Sequence, residues 1–196
     1  MINRRAFLAA APVVGAAVVA GPALAATDAD ADVVVAAGGD VPGLDVGWPE
    51  KMVEVGFDFA KRAPYSIVHE VVLPAKPRVV FDVLADPAPW PRWLSSVQKV
   101  EYRKPFGPGT VRDVVTNGIG TIREHFFCWD EGERFAFSVS SSTSPLLTTF
   151  YEDYVLKPVA GGNTRLIWTV ACQAKPWAFF AGPALMTVFK INTPGA

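Results

Sequence analysis

The sequence predicts an α+β domain in which a curved antiparallel sheet of about seven strands closes on a C-terminal helix. Three observations predict it. Residues 109–173 hold apolar-rich runs at Val111–Thr116, 120–129, Arg134–Ser142, 147–157 and 163–173, dominated by Phe, Val, Ile, Tyr, Trp and Thr. Short turn signals separate them (Asn117-Gly118, Asp130-Glu131-Gly132 and Gly161-Gly162-Asn163), so consecutive strands form hairpins and the block is a meander. Residues 177–190 then follow directly, apolar and of helical length, where the sheet needs a cover for its greasy face.

The elements upstream complete this plan. Tyr65–Leu73 alternates in strand fashion and ends at Pro74. A helix starts at Lys76-Pro77-Arg78 and runs through Leu84, with Pro77 in its first turn and Val80, Phe81 and Leu84 at helical spacing. Asp86-Pro87 stops it. A second helical piece at 89–94 carries Trp90 and Trp93, and 97–102 is the next strand before the turn Phe106-Gly107-Pro108-Gly109. In the last helix Gly182-Pro183 predicts a kink or a shortening, because a mid-helix proline removes a hydrogen bond and crowds the turn before it.

The first 25 residues are a targeting signal rather than fold. A basic start (Arg4, Arg5) precedes an uncharged Ala, Val and Leu run from Phe7, and Ala23-Leu24-Ala25 offers small residues for cleavage after Ala25. Asn3-Arg4-Arg5-Ala6-Phe7-Leu8 resembles the twin-arginine motif, which implies the twin-arginine export machinery as a partner. The expected location is secreted, periplasmic or cell-envelope. The apolar run is short for a membrane span, so none is expected after cleavage. Residues 26–63, with scattered Asp, Ala and Gly, read as an N-terminal arm lying loosely on the surface. The domain proper is 64–196.

Composition excludes several functions. A net charge of −1 leaves no footprint for nucleic acid. His125 and Cys128 point to opposite faces of one strand, and His69 has no second ligand at metal spacing, so no metal is expected. The Gly-x-Gly pairs enter strands, not helices, and no cofactor loop follows from them. No nucleophile elbow occurs. The two cysteines are expected as free thiols.

Strand parity selects a concave face of Ile122, Glu124, Phe126 and Cys128, then Phe150, Glu152, Tyr154 and Leu156, then Leu166, Trp168, Val170 and Cys172. His125 and Trp129 fall on the other face. Glu124 and Glu152 are then carboxylates inside a greasy cup, each needing a cation, a donor or a raised pKa. Arg112 is the candidate cation. A two-residue turn at Asn117-Gly118 would set Arg112 opposite Arg123, whereas a bulge or a longer turn would bring it to Glu124. A buried ion pair that fixes the hairpin outranks a catalytic role.

A family resemblance rests on Leu73-Pro74-Ala75-Lys76-Pro77 followed by Val80-Phe81 and Leu84-Ala85-Asp86. Trp90, Trp93 and Val97, then Gly109-Thr110-Val111-Arg112, Arg123-Glu124, residues 130–134, Gly162-Asn163-Thr164-Arg165 and Trp168 continue it in order. From about Ser66 to Lys190 the chain resembles the START-like (SRPBCC) superfamily, in its polyketide cyclase/dehydrase and lipid-transport branch. That resemblance implies the helix-grip fold and an apolar cavity for a lipid, polyketide or other hydrophobic molecule. Phe126, Phe137, Tyr154, Leu166, Trp168 and Val170 are the expected lining.

Two functions compete for that cavity. One is a non-catalytic carrier. The other is a cyclase, aromatase or dehydratase using Glu124, Glu152, Tyr154 and Arg112. The carrier leads, since polyketide assembly is cytoplasmic and this chain carries an export signal. Glu152 or Tyr154 beside a second acid–base group in a closed cavity would reverse that order.

Overall fold

The computed structural model describes Trp48 and residues 50–104, 106–117 and 120–191. The signal segment, its Arg4, Arg5, Phe7 and Leu8, the cleavage site after Ala25 and most of the arm lie outside the described residues. In chain order the elements are β1 (Glu50–Lys51), α1 (Phe59–Arg62), β2 (Tyr65–Leu73), α2 (Pro77–Ala85) and α3 (Trp90–Trp93). Then come β3 (Val97–Lys104), β4 (Val111–Thr116), β5 (Thr121–Asp130), β6 (Arg134–Ser142), β7 (Leu147–Val159), β8 (Asn163–Ala174) and α4 (Ala181–Ile191).

Strands β4 to β8 form the predicted meander, β3 extends it by pairing with β4, and β2 closes it by pairing with β8, giving the order β2-β8-β7-β6-β5-β4-β3. Every pairing along that path is antiparallel. The helices α2, α3 and α4 cover the concave face, where one apolar cluster runs from Val80 and Phe81 through Phe126, Phe135 and Tyr154 to Leu185 and Phe189. This is the helix-grip fold.

The last helix takes the shortened form of the two expected. Pro183 does not interrupt α4; it stands in its first turn, where a backbone N–H has no intrahelical partner to lose. A separate 3-10 turn at Pro176–Ala178 takes up the chain before it. Gly182 is required for close approach: a Cβ there would lie 2.2 Å from the Tyr65 ring. The helix is therefore short but seated directly on β2.

Strand β5 departs from expectation. Its register against β6 shifts between Phe126 and Cys128, leaving Phe127 as the extra residue of a β-bulge. Parity flips beyond that point. Trp129, predicted to face outward, enters the core beside Phe126 and Phe135, while Cys128, predicted on the concave face, is only partly buried and donates to Asp130.

The segment before β2 is held more firmly than a loose arm. β7 pairs with Arg134–Ser138 and leaves the later part of β6 free, and β1 pairs with it there. Met52 N donates to Ser140 O and Val53 N to Thr148 O, each at 2.9 Å, so the segment wedges between the two diverging strands. Met52 reaches the main core. Phe59 is buried on the convex face against Tyr151 and Ala171. That convex face is laced by Arg103 and Arg123 on the fully buried Asp113, and by Arg134 on Asp153.

Candidate functional site

Between the sheet and α4 lies an apolar cavity of about 250 Å³. Its walls come from α3 and the chain after it (Trp90, Leu94, Val97), from β4 and β5 (Val114, Ile122), from the start of β7 (Leu147, Phe150) and from α4 (Ala181, Leu185, Phe189). It opens to solvent at α4: Phe180 and Val188 line it, yet remain 54% and 42% exposed. Ser96, Thr116 and Asn117 dot the wall, and Arg112, Glu124 and Glu152 form a polar corner.

Backbone geometry explains that corner. Residues 117–120 connect β4 to β5, a longer link than the two-residue turn, and the resulting register sets Arg112 opposite Glu124 and Asp113 opposite Arg123. Gly120 allows it, with φ near +75° at a point where a Cβ would meet Thr143 Oγ1 at 2.4 Å. Arg112 Nε donates to Glu124 Oε2 at 2.5 Å, and both side chains are almost completely buried. The guanidinium lies 4.7 Å from the Trp90 ring centre, 5.0 Å from Phe126 and 5.5 Å from Phe137, an aromatic collar that favours a cation. Its Nη1 is buried without a hydrogen-bond partner among the described residues. Native structures rarely leave such a donor unused.

Glu152 is the second half. Tyr154 Oη and Trp168 Nε1 both donate to its Oε2, the latter at 2.9 Å. Burial pushes the Glu152 carboxyl up to about 8; the Tyr154 hydroxyl opposes this, and the negative Glu124 adds to it. At neutral pH the group is therefore mainly the protonated acid. With two donors already on Oε2, the proton belongs on Oε1. Burial pushes Glu124 up as well, and the Arg112 guanidinium pulls it back, as an ion pair must if the arginine is to stay charged. Burial also raises Tyr154, so its hydroxyl stays protonated.

The structure thus brings Arg112, Glu124 and Glu152 to one wall and adds Tyr154 through its bond to Glu152. The six residues expected as lining are placed differently. Phe126, Phe137, Tyr154 and Trp168 form a chain of ring contacts with Phe135, with centroids 4.5 to 6.5 Å apart, and with Leu166 and Val170 they fill the core beside the cavity. None of the six is among the residues that line it. Ile122 lines it from the predicted concave face, and the lining residues not anticipated from sequence include Val114, Leu147, Leu185 and Phe189. Their signal was present in the shared parity of Arg112, Val114 and Thr116 and in the four-residue spacing of Ala181, Leu185 and Phe189.

Comparison with known proteins decides the kinship. Residues 64–192 match the family described as polyketide cyclase / dehydrase and lipid transport. The chain belongs to that family. Two curated mycobacterial relatives of this cyclase/dehydrase-family chain are named only as uncharacterized proteins. They are Mb2604 of Mycobacterium bovis and Rv2574 of Mycobacterium tuberculosis, each 37% identical over 137 residues, or 69% of this chain and 78% of the relative. Similar solved structures include the Zhui aromatase/cyclase from a Streptomyces species, with TM-score 0.55 and 19% identity over 65% of this chain and 85% of that one. A START superfamily protein from Mycobacterium smegmatis gives TM-score 0.52 and 13% identity over 65% and 93%. At such identities the likeness establishes the fold.

Proposed function

We propose that this family member binds a hydrophobic small molecule in the cavity beneath α4, with the ligand's one polar end at the Arg112–Glu124–Glu152 corner. The observation that carries this is the cavity itself, about 250 Å³ and walled mainly by apolar side chains. An apolar void of about 150 Å³ takes a benzene, and drug-sized pockets begin at about 300 Å³, so one to two rings or an equivalent chain is the matching size.

Acid–base chemistry on the bound molecule, of the cyclase or dehydratase type, is the second reading. A specific observation favours it: Glu152, with its pKa pushed up to about 8, meets Tyr154 and shares the cavity wall with Glu124. A carboxyl near neutrality is what a general acid requires. Binding stays ahead because the cavity is open at Phe180 and Val188, and because the Tyr154 hydroxyl is committed to Glu152.

The binding test uses native mass spectrometry of freshly purified protein, followed by titration with fatty acids and polycyclic aromatics under tryptophan fluorescence. Trp90 lines the cavity, so Trp90→Phe should remove most of the ligand response, whereas Trp168→Phe should remove little. Val114→Phe puts bulk into open space and should weaken binding about tenfold or more while the domain stays folded. Failure of every ligand in the panel, with none co-purifying, would sink the proposal.

The proposed place of action lies outside the cytoplasm, supported by Arg4-Arg5 before Phe7-Leu8 and by the small residues ending at Ala25. No helix among the described residues is long and apolar enough to cross a membrane. Replacing Arg4 and Arg5 together with Lys should abolish export of the precursor, read by fractionation. Normal export of that variant would replace the twin-arginine route with a general one.

A further inference from the structure

We infer that the ligand's polar end is an uncharged oxygen, a ketone, ester or hydroxyl rather than a carboxylate or phosphate, received by Arg112 Nη1 and Glu152. The inference rests on the binding reading above and names its ligand class.

Arg112 supplies the attraction. Its Nη1 is a buried charged donor without a partner among the described residues, on a side chain that lines the cavity. A charged donor left unmet in an apolar wall is costly, and an oxygen acceptor from the ligand relieves it. Glu152 supplies a second contact, since its Oε2 is occupied by Tyr154 and Trp168 and Oε1 remains for the ligand.

Charge balance then decides between oxygen types. The corner already holds two carboxyl groups, Glu124 and Glu152, around a single guanidinium. Arg112 is neutralised by Glu124 at 2.5 Å, so the pair presents no net charge to a newcomer. A ligand anion would meet one compensated cation and the Glu124 carboxylate, in a wall with little water to screen them, while the protonated Glu152 adds no charge to offset that repulsion. A neutral oxygen accepts the same Nη1 hydrogen bond without that repulsion. His69, which packs on the far side of Trp168 on β2, does not alter the balance, because burial lowers its pKa and keeps it neutral.

The test is calorimetric titration of the purified protein at neutral pH with four molecules sharing one ring system: naphthalene, 2-naphthol, 2-acetylnaphthalene and 2-naphthoate. The naphthol and the ketone should bind about tenfold or more tighter than naphthalene, the worth of a hydrogen bond to a charged donor. Naphthoate should bind about tenfold or more weaker than the ketone. Glu124→Gln keeps an acceptor for Arg112 Nε while removing the negative charge, so it should narrow the gap between the ketone and naphthoate about tenfold. Naphthoate binding as tightly as the ketone to the wild-type protein would overturn the inference, with the binding proposal intact. Equal affinity for naphthalene and the ketone would overturn it too, since Arg112 would then contribute nothing. If none of the four binds while other apolar molecules do, this corner is not the ligand's polar end; if nothing apolar binds at all, the binding proposal falls first. Should Glu124→Gln fail to fold, the wild-type series decides alone.

Discussion

Arg112→Ala is expected to destabilise the domain by about 3–5 kcal/mol, because it strands the Glu124 carboxylate in an apolar wall. Removing a surface arginine would cost about 0–1 kcal/mol, so the size of the loss reports how dry the pair is. The aromatic collar adds to the loss, since Trp90, Phe126 and Phe137 lose the cation they surround. Replacing both partners, as in Arg112→Met with Glu124→Leu, should recover most of it, because no unpaired charge remains and the volumes are close. Chemical denaturation of the three proteins checks this directly. A loss under about 1 kcal/mol for Arg112→Ala would mean that water reaches the pair and screens it. A double variant as unstable as the single one would mean that the pair orders the β4–β5 hairpin, beyond its own desolvation.

Glu152→Gln is expected to make stability less dependent on pH. The folded-state pKa of Glu152 is raised to about 8, above the 4.5 of the free group, chiefly by burial. Between those values the folded chain holds a proton that the unfolded chain has released. Stability therefore falls as pH rises through this window, by up to about 1.4 kcal/mol per pH unit, and levels off above it. Glutamine stays neutral throughout and still accepts from Tyr154 and Trp168. The variant should thus gain on the wild-type protein as pH rises from about 6.5 to 8, by roughly 2 kcal/mol. His69 acts in the opposite sense, and only below its ordinary range, since its folded pKa is lowered by burial. Arg112 keeps its charge across the window and Tyr154 keeps its proton, so neither blurs the comparison. Parallel stability curves for the two proteins, from denaturation at several pH values, would show that Glu152 is already ionised at neutral pH and is no candidate acid.

Much of this fold is legible in the chain because it is written in local patterns. Tyr65–Leu73, Val111–Thr116 and Arg134–Ser142 have the predicted bounds, since alternation and flanking turn residues mark a strand without reference to its neighbours. Pro77 marks the start of α2 for a similar reason, its ring being suited to the first helical turn. Family kinship follows from the same ordered pieces. Candidate polar residues were equally legible: Glu124 and Glu152 stand out as carboxylates at positions whose parity faces inward, and a buried carboxylate must find a partner.

Tertiary structure decided what depended on register and depth. Whether Arg112 met Glu124 or Arg123 turned on the length of the 117–120 link, a single-residue matter that parity alone leaves open. The bulge at Phe127 sent Trp129 inward and Cys128 outward, because one extra residue reverses every side chain beyond it. Pro183 reads as a helix breaker until the chain's path shows that the helix starts beside it. Depth mattered most for the site. Parity says that Phe126, Tyr154 and Trp168 face inward, but their ring contacts make them core, and the open volume lies where α3 and α4 stand off from β4, β5 and the start of β7. A cavity is the space that no side chain fills, and that depends on how helices seat on a sheet, which no local pattern encodes.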